Sequence, residues 1–457
     1  MPGLHAGAAR VQLEPPLGLG MLGYGSRVGR AAGVHDDLCV QAIVISDGAR
    51  KLALCGFDLL AIGKRIADEI CSLVAAQSDI AADAILIGAT HTHSAPAFNI
   101  FATPRADAKV ADDRNLEWER ALPGKIAVAI LAANRALEPA VLKTARARFT
   151  LGTNRRLRRA DGQIQLAANY SGVADDTAAA LGAFRPDGSA IGVILNYSCH
   201  GVVLCEDNLL YSRDWMGFAI DEIERGLARG ADAAPIAIFM QGATGNIDPR
   251  SRGSFEVAAD WGRAAGRALA AALATAPTLD ASAIRGRRID LKLRLKPVAD
   301  ALAIARGCAA QTEASLANHR GGEGRQLKRL RDHHQQSLDA LRALEALEET
   351  NRRDKRVDLA RGEMTTSVSV FALGDLAIIG IPGEAFVEFG LALRANPYFA
   401  HTLVACYCND LVGYLPTREA YAQGGYEVET ARVAEGTGEA IVAAALGLMR
   451  ELREPAP

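Results

Sequence analysis

The residues of this chain best suited to chemistry include two histidines one position apart, His91 and His93, in the stretch GATHTHSAPA at 88–97, which follows directly on the apolar run AILI. Three further apolar runs end in a similar way: AIGVILNYSCH closes on His200, PIAIFMQGATGNID on Asp248 and LAIIGIPGE on Glu384. Imidazole nitrogen and carboxylate oxygen together make a donor set suited to zinc, which at an open site lowers the pKa of a bound water to about 7. If the segment holding His91 and His93 is extended, both rings project from one face, because strand side chains repeat every two residues. A histidine on such a segment also serves as a hydrogen-bonded core or rim residue. The metal reading draws its weight from His200 and Glu384 at comparable strand ends.

About 290 positions separate His91 from Glu384, so the fold has to bring them together. Continuous aliphatic runs are the mark of buried strands, and ligands of open α/β sheets gather beyond the carboxyl ends of strands. Short β-like runs alternate here with Ala/Leu-rich segments of helical periodicity, which places the chain in the α/β class (mixed α+β), with a large mixed-sheet core and flanking helices. CVQAIVISD and KLALCGFD predict a hairpin turning at Asp47-Gly48, KRIADEICSLVAAQ predicts a helix, and AILIGAT predicts the strand leading into the histidines. From 297 to 356 the chain becomes charged and leucine-rich, with a Gly321-Gly322-Glu323-Gly324 break, and predicts a helical hairpin inserted between strands. That hairpin is either a solvated pair packing on its own leucine stripe or a lid or homo-oligomer contact, and its His333 and His334 are expected at the surface.

A net charge of -2 over 457 residues gives no electrostatic lean toward nucleic acid, and 49% hydrophobic residues suffice for a large core. The eight cysteines are scattered without a C-x-x-C pair and are expected as reduced, mostly buried thiols. The opening MPGLHAGAARVQLEPP lacks a basic region followed by an apolar one, and no uninterrupted apolar run reaches about 18 residues. The expectation is a cytoplasmic protein without a transmembrane segment.

Five separated motifs resemble the neutral (alkaline, non-lysosomal) ceramidase family in order and context: THTHSAP at 90–96, NYSCHG at 196–201, QGATGNIDP at 241–249, IPGE at 381–384 and GYLPTREAYAQGGYE at 413–427. MLGYG at 21–25 and GVHDDLCVQAIVI at 33–45 resemble that family's N-terminal segments, so the likeness covers nearly the whole chain (1–457, one catalytic domain) apart from the inserted hairpin. The resemblance implies a zinc amidohydrolase acting on an acyl amide, small or lipid-like. It implies His91, His200, Glu384 and Tyr414 as metal ligands, His93 and Tyr426 as contacts to the substrate oxyanion, and Asn154 and Arg155 as substrate-binding residues.

The chain also departs from the family pattern. Asp248 stands where the family has a serine proposed as nucleophile, and Asn246 where it has an aspartate. A carboxylate cannot serve as that hydroxyl, so direct attack by zinc-activated water is expected, with Asp248 as a general base, a substrate contact or a turn residue before Pro249. The family's C-terminal immunoglobulin-like domain is expected to be absent, and the substrate to be smaller than ceramide. Two other readings are a family member that binds metal without turnover, and a dinucleotide-binding enzyme using the GATGN turn.

Overall fold

The computed structural model describes residues 3–98, 113–229, 234–320 and 325–453. Three sheets carry the architecture. The first orders Ile85–Ala89, Lys51–Phe57, Cys39–Ser46, His5–Gln12 and Glu138–Pro139. The second orders Ile236–Gln241, Ala190–Tyr197, Thr177–Phe184 and Val141–Arg148, and the third Ile284–Arg294, Glu363–Leu373, Leu376–Gly380 and His401–Ala405. The expected α/β class is what the structure shows.

Most pairings are antiparallel, and the expected hairpin is present with Ser46 opposite Lys51. Its turn forms because Gly48 takes φ 86° while Asp47 Oδ1 accepts from the backbone N–H groups of Ala49 and Arg50 at 2.8 and 2.6 Å. At one edge, however, each sheet ends in a parallel pair: Lys51–Phe57 with Ile85–Ala89, Ala190–Tyr197 with Ile236–Gln241, and Leu376–Gly380 with His401–Ala405. A parallel pair needs a crossover, and the three crossovers contain the helices Lys64–Gln77, Asp214–Leu227 and Val387–Arg394. The first of these matches the helix predicted from the sequence.

The carboxyl ends of the three parallel pairs meet. Asn196 Nδ2 donates to the carbonyls of Met240 and Val404 at 2.8 and 2.9 Å, joining the second sheet to the third. The Cys406 N–H donates to the Gln241 carbonyl at 2.8 Å, the Ala89 N–H to that of Tyr407 at 3.4 Å, and isolated bridges link Gly88 to Cys408 and Thr92 to Gly201. These bonds satisfy backbone groups that sheet edges would otherwise leave bare.

The sequence-predicted helical hairpin is present as Ala299–Ala317 and Arg325–Arg353, between two adjacent antiparallel strands of the third sheet. At its root, Asn351 and Asp354 accept from Arg432 at 3.0 and 2.8 Å, and Arg356 joins Asp354 to Asp410. His334 is half-buried rather than superficial, its Nδ1 3.0 Å from the Thr312 hydroxyl of the facing helix, while the side chain of His333 lies outside the described residues. All eight cysteines are free, six of them buried. No helix among the described residues is long and apolar enough to cross a membrane.

Candidate metal centre and active site

The strand leading to the histidines stops at Ala89, and His91 itself has φ 63°. The pair therefore sits on a left-handed turn rather than on the extended segment its spacing suggested, although the rings do reach one place. The His91 and His93 ring centroids are 5.0 Å apart, and the His200 ring is 4.9 and 5.8 Å from them. Main-chain carbonyls orient two of the rings: Leu60 O lies 2.7 Å from His91 Nδ1, and Ile247 O lies 2.9 Å from His200 Nδ1. With Nδ1 as donor, each ring presents the lone pair of Nε2 to the centre, an orientation typical of metal-binding histidines.

Both Nε2 atoms lie 3.6 Å from the same oxygen, Glu384 Oε2. His200 Nε2 is fully buried with no hydrogen-bond partner. Donor nitrogens of His91, His93 and His200 lie within 4.8 Å of one another. Burial lowers the pKa of His91 to about 4, against the pull of Glu384, and burial followed by the neighbouring His91 holds that of His93 well below the usual imidazole range. Neutral imidazoles with a carboxylate fit a zinc ion, which takes nitrogen and oxygen donors and requires them deprotonated.

Glu384 begins the two-residue strand Glu384–Ala385, paired in parallel with Tyr414–Leu415, so Glu384 and Tyr414 are direct neighbours. Tyr407 supports this arrangement. Its ring stacks on His91 at 4.0 Å, and its hydroxyl is 3.4 Å from Glu384 Oε2 and 2.7 Å from the Thr244 hydroxyl. Like His91, Tyr407 is in the left-handed region, with φ 56°. Asn246 accepts from the Val387 N–H at 2.8 Å and donates to Glu388 at 3.0 Å, tying the turn after Gln241 to the helix that follows Glu384.

Behind Tyr414 lies a layer of buried charge. Arg155 donates from Nη2 to the Tyr414 hydroxyl at 3.1 Å, from Nη1 to Asp248 at 3.1 Å and from Nε to Glu427 at 2.8 Å. Arg156 takes the other Glu427 oxygen at 2.7 Å. Consecutive residues share one partner because the strand register shifts between Asn154 and Arg156. Asp248 gives its second oxygen to Arg252. Burial alone would raise the Asp248 pKa, but Arg155, His200 and Arg252 outweigh it and hold the group below the ordinary carboxylate value. Burial and the charge of Glu384 push the Tyr414 phenol well up, while Arg155 works against them.

In front of the histidine cluster is a pocket of about 260 Å³ lined by residues 21–25, Leu60, His91, His93, Glu384, Tyr414 and Tyr426. Gly23 lies against the His93 ring, Tyr24 meets that ring edge-on at 5.1 Å, and Arg27 Nη1 donates to the His93 carbonyl at 2.8 Å. Tyr426, 46% exposed, stands at the mouth with its ring 5.7 Å from that of Tyr414.

Residues 13–269, more than half of the chain, match the family model described as neutral/alkaline non-lysosomal ceramidase, N-terminal. The chain belongs to this ceramidase family. A curated relative is the neutral ceramidase of Pseudomonas aeruginosa, 24% identical over 454 residues, covering 90% of this chain. The chain spans 66% of that relative's length. The crystal structure of neutral ceramidase from the same organism superposes with a TM-score of 0.73 at 19% identity, covering all of this chain and 75% of the other. A second solved structure, a ceramidase complexed with C2, gives a TM-score of 0.71 at 19% identity, covering all of this chain and 77% of that one. The ceramidase fold is therefore shared.

Within this ceramidase fold the sequence-predicted residues divide into two groups. His91, His93, Glu384, Tyr414 and Tyr426 line the pocket, and His200 joins the histidine cluster. Asn154, Arg155 and Asp248 are not among the lining residues. The Asn154 amide donates to the Val173 carbonyl and accepts from the Arg156 N–H, so its side chain is engaged locally. The GATGN turn leads into the strand Ile247–Pro249 rather than a helix, which removes the helix N-terminus that dinucleotide binding would need. Sequence reasoning missed Tyr407, Thr244 and Glu427. Glu427 closes the quoted GGYE and was available to be noticed, whereas no spacing marks Tyr407 or Thr244.

Proposed function

We propose that the chain is a zinc-dependent hydrolase cleaving an N-acyl amide or ester bond in a substrate smaller than ceramide. The carrying observation is the convergence of His91 Nε2 and His200 Nε2 on one oxygen of Glu384, each ring oriented through Nδ1 by a main-chain carbonyl. In this reading His91, His200, Glu384 and Tyr414 hold the ion, and the whole chain, 1–457, works as one catalytic domain with 297–356 as an insertion. When bound, zinc polarises the scissile carbonyl and lowers the pKa of a water toward about 7.

The chain's own groups do the rest. His93 faces the pocket and, with Tyr426 at the mouth, donates to the oxygen on which negative charge develops. Arg155 holds the Tyr414 hydroxyl, and Asp248 holds Arg155, so in this reading Asp248 serves as a positioning residue, a role other than the general base, substrate contact or turn residue that the sequence left open. Both of its oxygens are engaged by arginines, and its depressed pKa makes it a weak base. With no serine hydroxyl at 248, water is the nucleophile. The free thiols support a reducing compartment, the cytoplasm.

Elemental analysis of the purified protein should find about one zinc per chain, lost in folded His91→Ala and Glu384→Ala variants. A folded wild-type protein that takes up no zinc would overturn the metal centre. Chelator-sensitive release of an acid from N-acyl amines, N-acyl amino acids, esters, lactones or short ceramides then tests turnover. A protein that binds zinc and cleaves none of them is the non-catalytic family member that Asp248, in place of the serine, also suggests.

A further inference from the structure

We infer that the inserted helical hairpin braces the mouth of the pocket, and that Lys296 and Arg432, which tie its two feet to the helix bearing Tyr426 and the turn after it, are positioning residues for the reaction. This role rests on the hydrolase reading, in which Tyr426 donates to the oxygen that gains charge. Tyr426 opens a helix of five residues, Tyr426–Thr430, far below the roughly 12–15 residues at which a helix begins to hold itself in water. The chain enters it through Gly424 and Gly425, with φ 71° and 94°, and no side chain caps its start. Glycine is the residue least restrained by its own sterics, so tertiary contacts have to set where Tyr426 stands.

Two anchors supply them. One is the clamp of Arg155 and Arg156 on Glu427. The other is the hairpin, whose feet both reach the far end of the short helix. At the first foot, just before Ala299–Ala317, Lys296 Nζ donates to the carbonyls of Val428 and Glu429 at 2.9 and 3.2 Å, acceptors that so short a helix cannot satisfy internally. The Lys296 N–H donates to the Arg432 carbonyl, and the Ala434 N–H to the Arg294 carbonyl, both at 2.8 Å. At the second foot, the end of Arg325–Arg353, the buried Arg432 side chain donates to Asn351 and Asp354 at 3.0 and 2.8 Å. The two ends of the insertion thus grip residues 428–434 together. With Glu427 fixed, loss of this second anchor lets the helix pivot, and the ring of Tyr426, exposed at the mouth, is the part that shifts. A shift of about 1 Å at such a group costs roughly 10²-fold in rate. Lys296 is the cleaner probe, because Asp354 is shared with Arg356, which continues to Asp410.

The test combines kinetics with fluorine NMR on the full chain. Lys296→Met keeps the aliphatic stem and removes the donors. On the zinc-loaded enzyme it should lower kcat by about ten- to a hundredfold with zinc content unchanged, and Lys296→Arg, which can donate to both carbonyls, should recover most of the loss. Tyr426→Phe should lower kcat by about 10²-fold, and adding Lys296→Met to it should cost less than about threefold more. An equal loss in both backgrounds, or a folded Lys296→Met variant at the wild-type rate, would overturn the brace. Should Tyr426→Phe leave kcat unchanged, or no substrate be turned over, the donor role of Tyr426 or the hydrolase reading fails separately, and protein labelled with 3-fluorotyrosine decides the brace. The Tyr426 resonance, identified by its loss in Tyr426→Phe, should move in Lys296→Met and in Asn351→Ala at the other foot, and return in Lys296→Arg. That of Tyr197, buried in the second sheet, should stay. A Tyr426 resonance that does not move, or one that moves together with that of Tyr197, would overturn the inference.

Discussion

Gly23→Ala probes how closely the MLGYG loop sets His93. Gly23 has φ 105°, a conformation that alanine rarely adopts, and a Cβ built there falls 2.4 Å from His93 Cγ and 2.5 Å from Nδ1. Ordinary van der Waals contact begins at 3.4 Å, so the ring has to retreat by about 1 Å or the loop has to lift by as much. A displacement of that size at a catalytic group costs roughly 10²-fold in rate. The backbone strain adds about 1–3 kcal/mol of destabilisation, visible as a lower Tm. The assay is kcat and KM on the best substrate, with zinc content and Tm measured on the same preparation. The expected outcome is kcat down by about 10²-fold with zinc retained. Zinc lost together with activity would make His93 a metal ligand, as its clustering with His91 and His200 within 4.8 Å allows. A folded variant with kcat within about threefold of wild type would refute the positioning of His93 by this loop.

Four further substitutions address the surrounding layers. Asp248→Asn should lower kcat less than about tenfold and keep the shape of the pH profile, whereas a loss of about 10²- to 10⁴-fold with the acidic limb removed would make Asp248 a general base. Glu427→Ala leaves the buried Arg156 without a carboxylate and Arg155 with Asp248 as its remaining one, both side chains being under 8% exposed, and should cost about 3–5 kcal/mol in denaturant unfolding, with a loss below about 1 kcal/mol contradicting the clamp. His200→Ala should weaken zinc affinity by more than the roughly 10- to 100-fold typical of lost supporting contacts, as read by competition with a chelator. Asp58 is buried at the carboxyl end of a core strand, and burial raises its pKa to about 6 despite Arg213. The folded state therefore holds that proton more tightly than the unfolded chain, and stability falls as pH rises from about 4 to 6. Asp58→Asn should accordingly raise stability at pH 8 by up to about 3 kcal/mol and change little at pH 3, and an equal effect at both values would exclude this titration.

Much of the fold was legible because burial writes itself into composition. ILIGA, AIGVILNY, IAIFMQ and LAIIG are strands buried along most or all of their length, and each was expected as one from an apolar run. The Asp47-Gly48 turn and the helix Lys64–Gln77 followed from local chemistry that tertiary contacts did not override. The pairing of strands across sheets was not legible, since no local preference records that Asn196 will bond to Val404. Similar limits applied at the site. His91, His200 and Glu384 stood out as strand-end donors, whereas Tyr414 was assigned through the family motif alone and Tyr407 through nothing at all. The role proposed for Asp248 turns on which arginines face it, and Arg155 and Arg252 are brought there by a strand pairing and a turn that sequence spacing does not describe.

The three parallel edge pairs also have a consequence for how the protein acquires activity. Each crossover unit is contiguous in sequence and can form early, but His91, His200 and Glu384 belong to three different units, so no unit alone holds a complete donor set. Docking the units brings together segments far apart in the chain, the slow, high-contact-order step of folding. Appearance of tight zinc binding during refolding should therefore lag behind recovery of helix and strand signals. A ligand bound only by the docked state adds about 2.7 kcal/mol to its stability when present at 100 times its Kd, which would make the ion a latch on the last event of folding as well as a reagent.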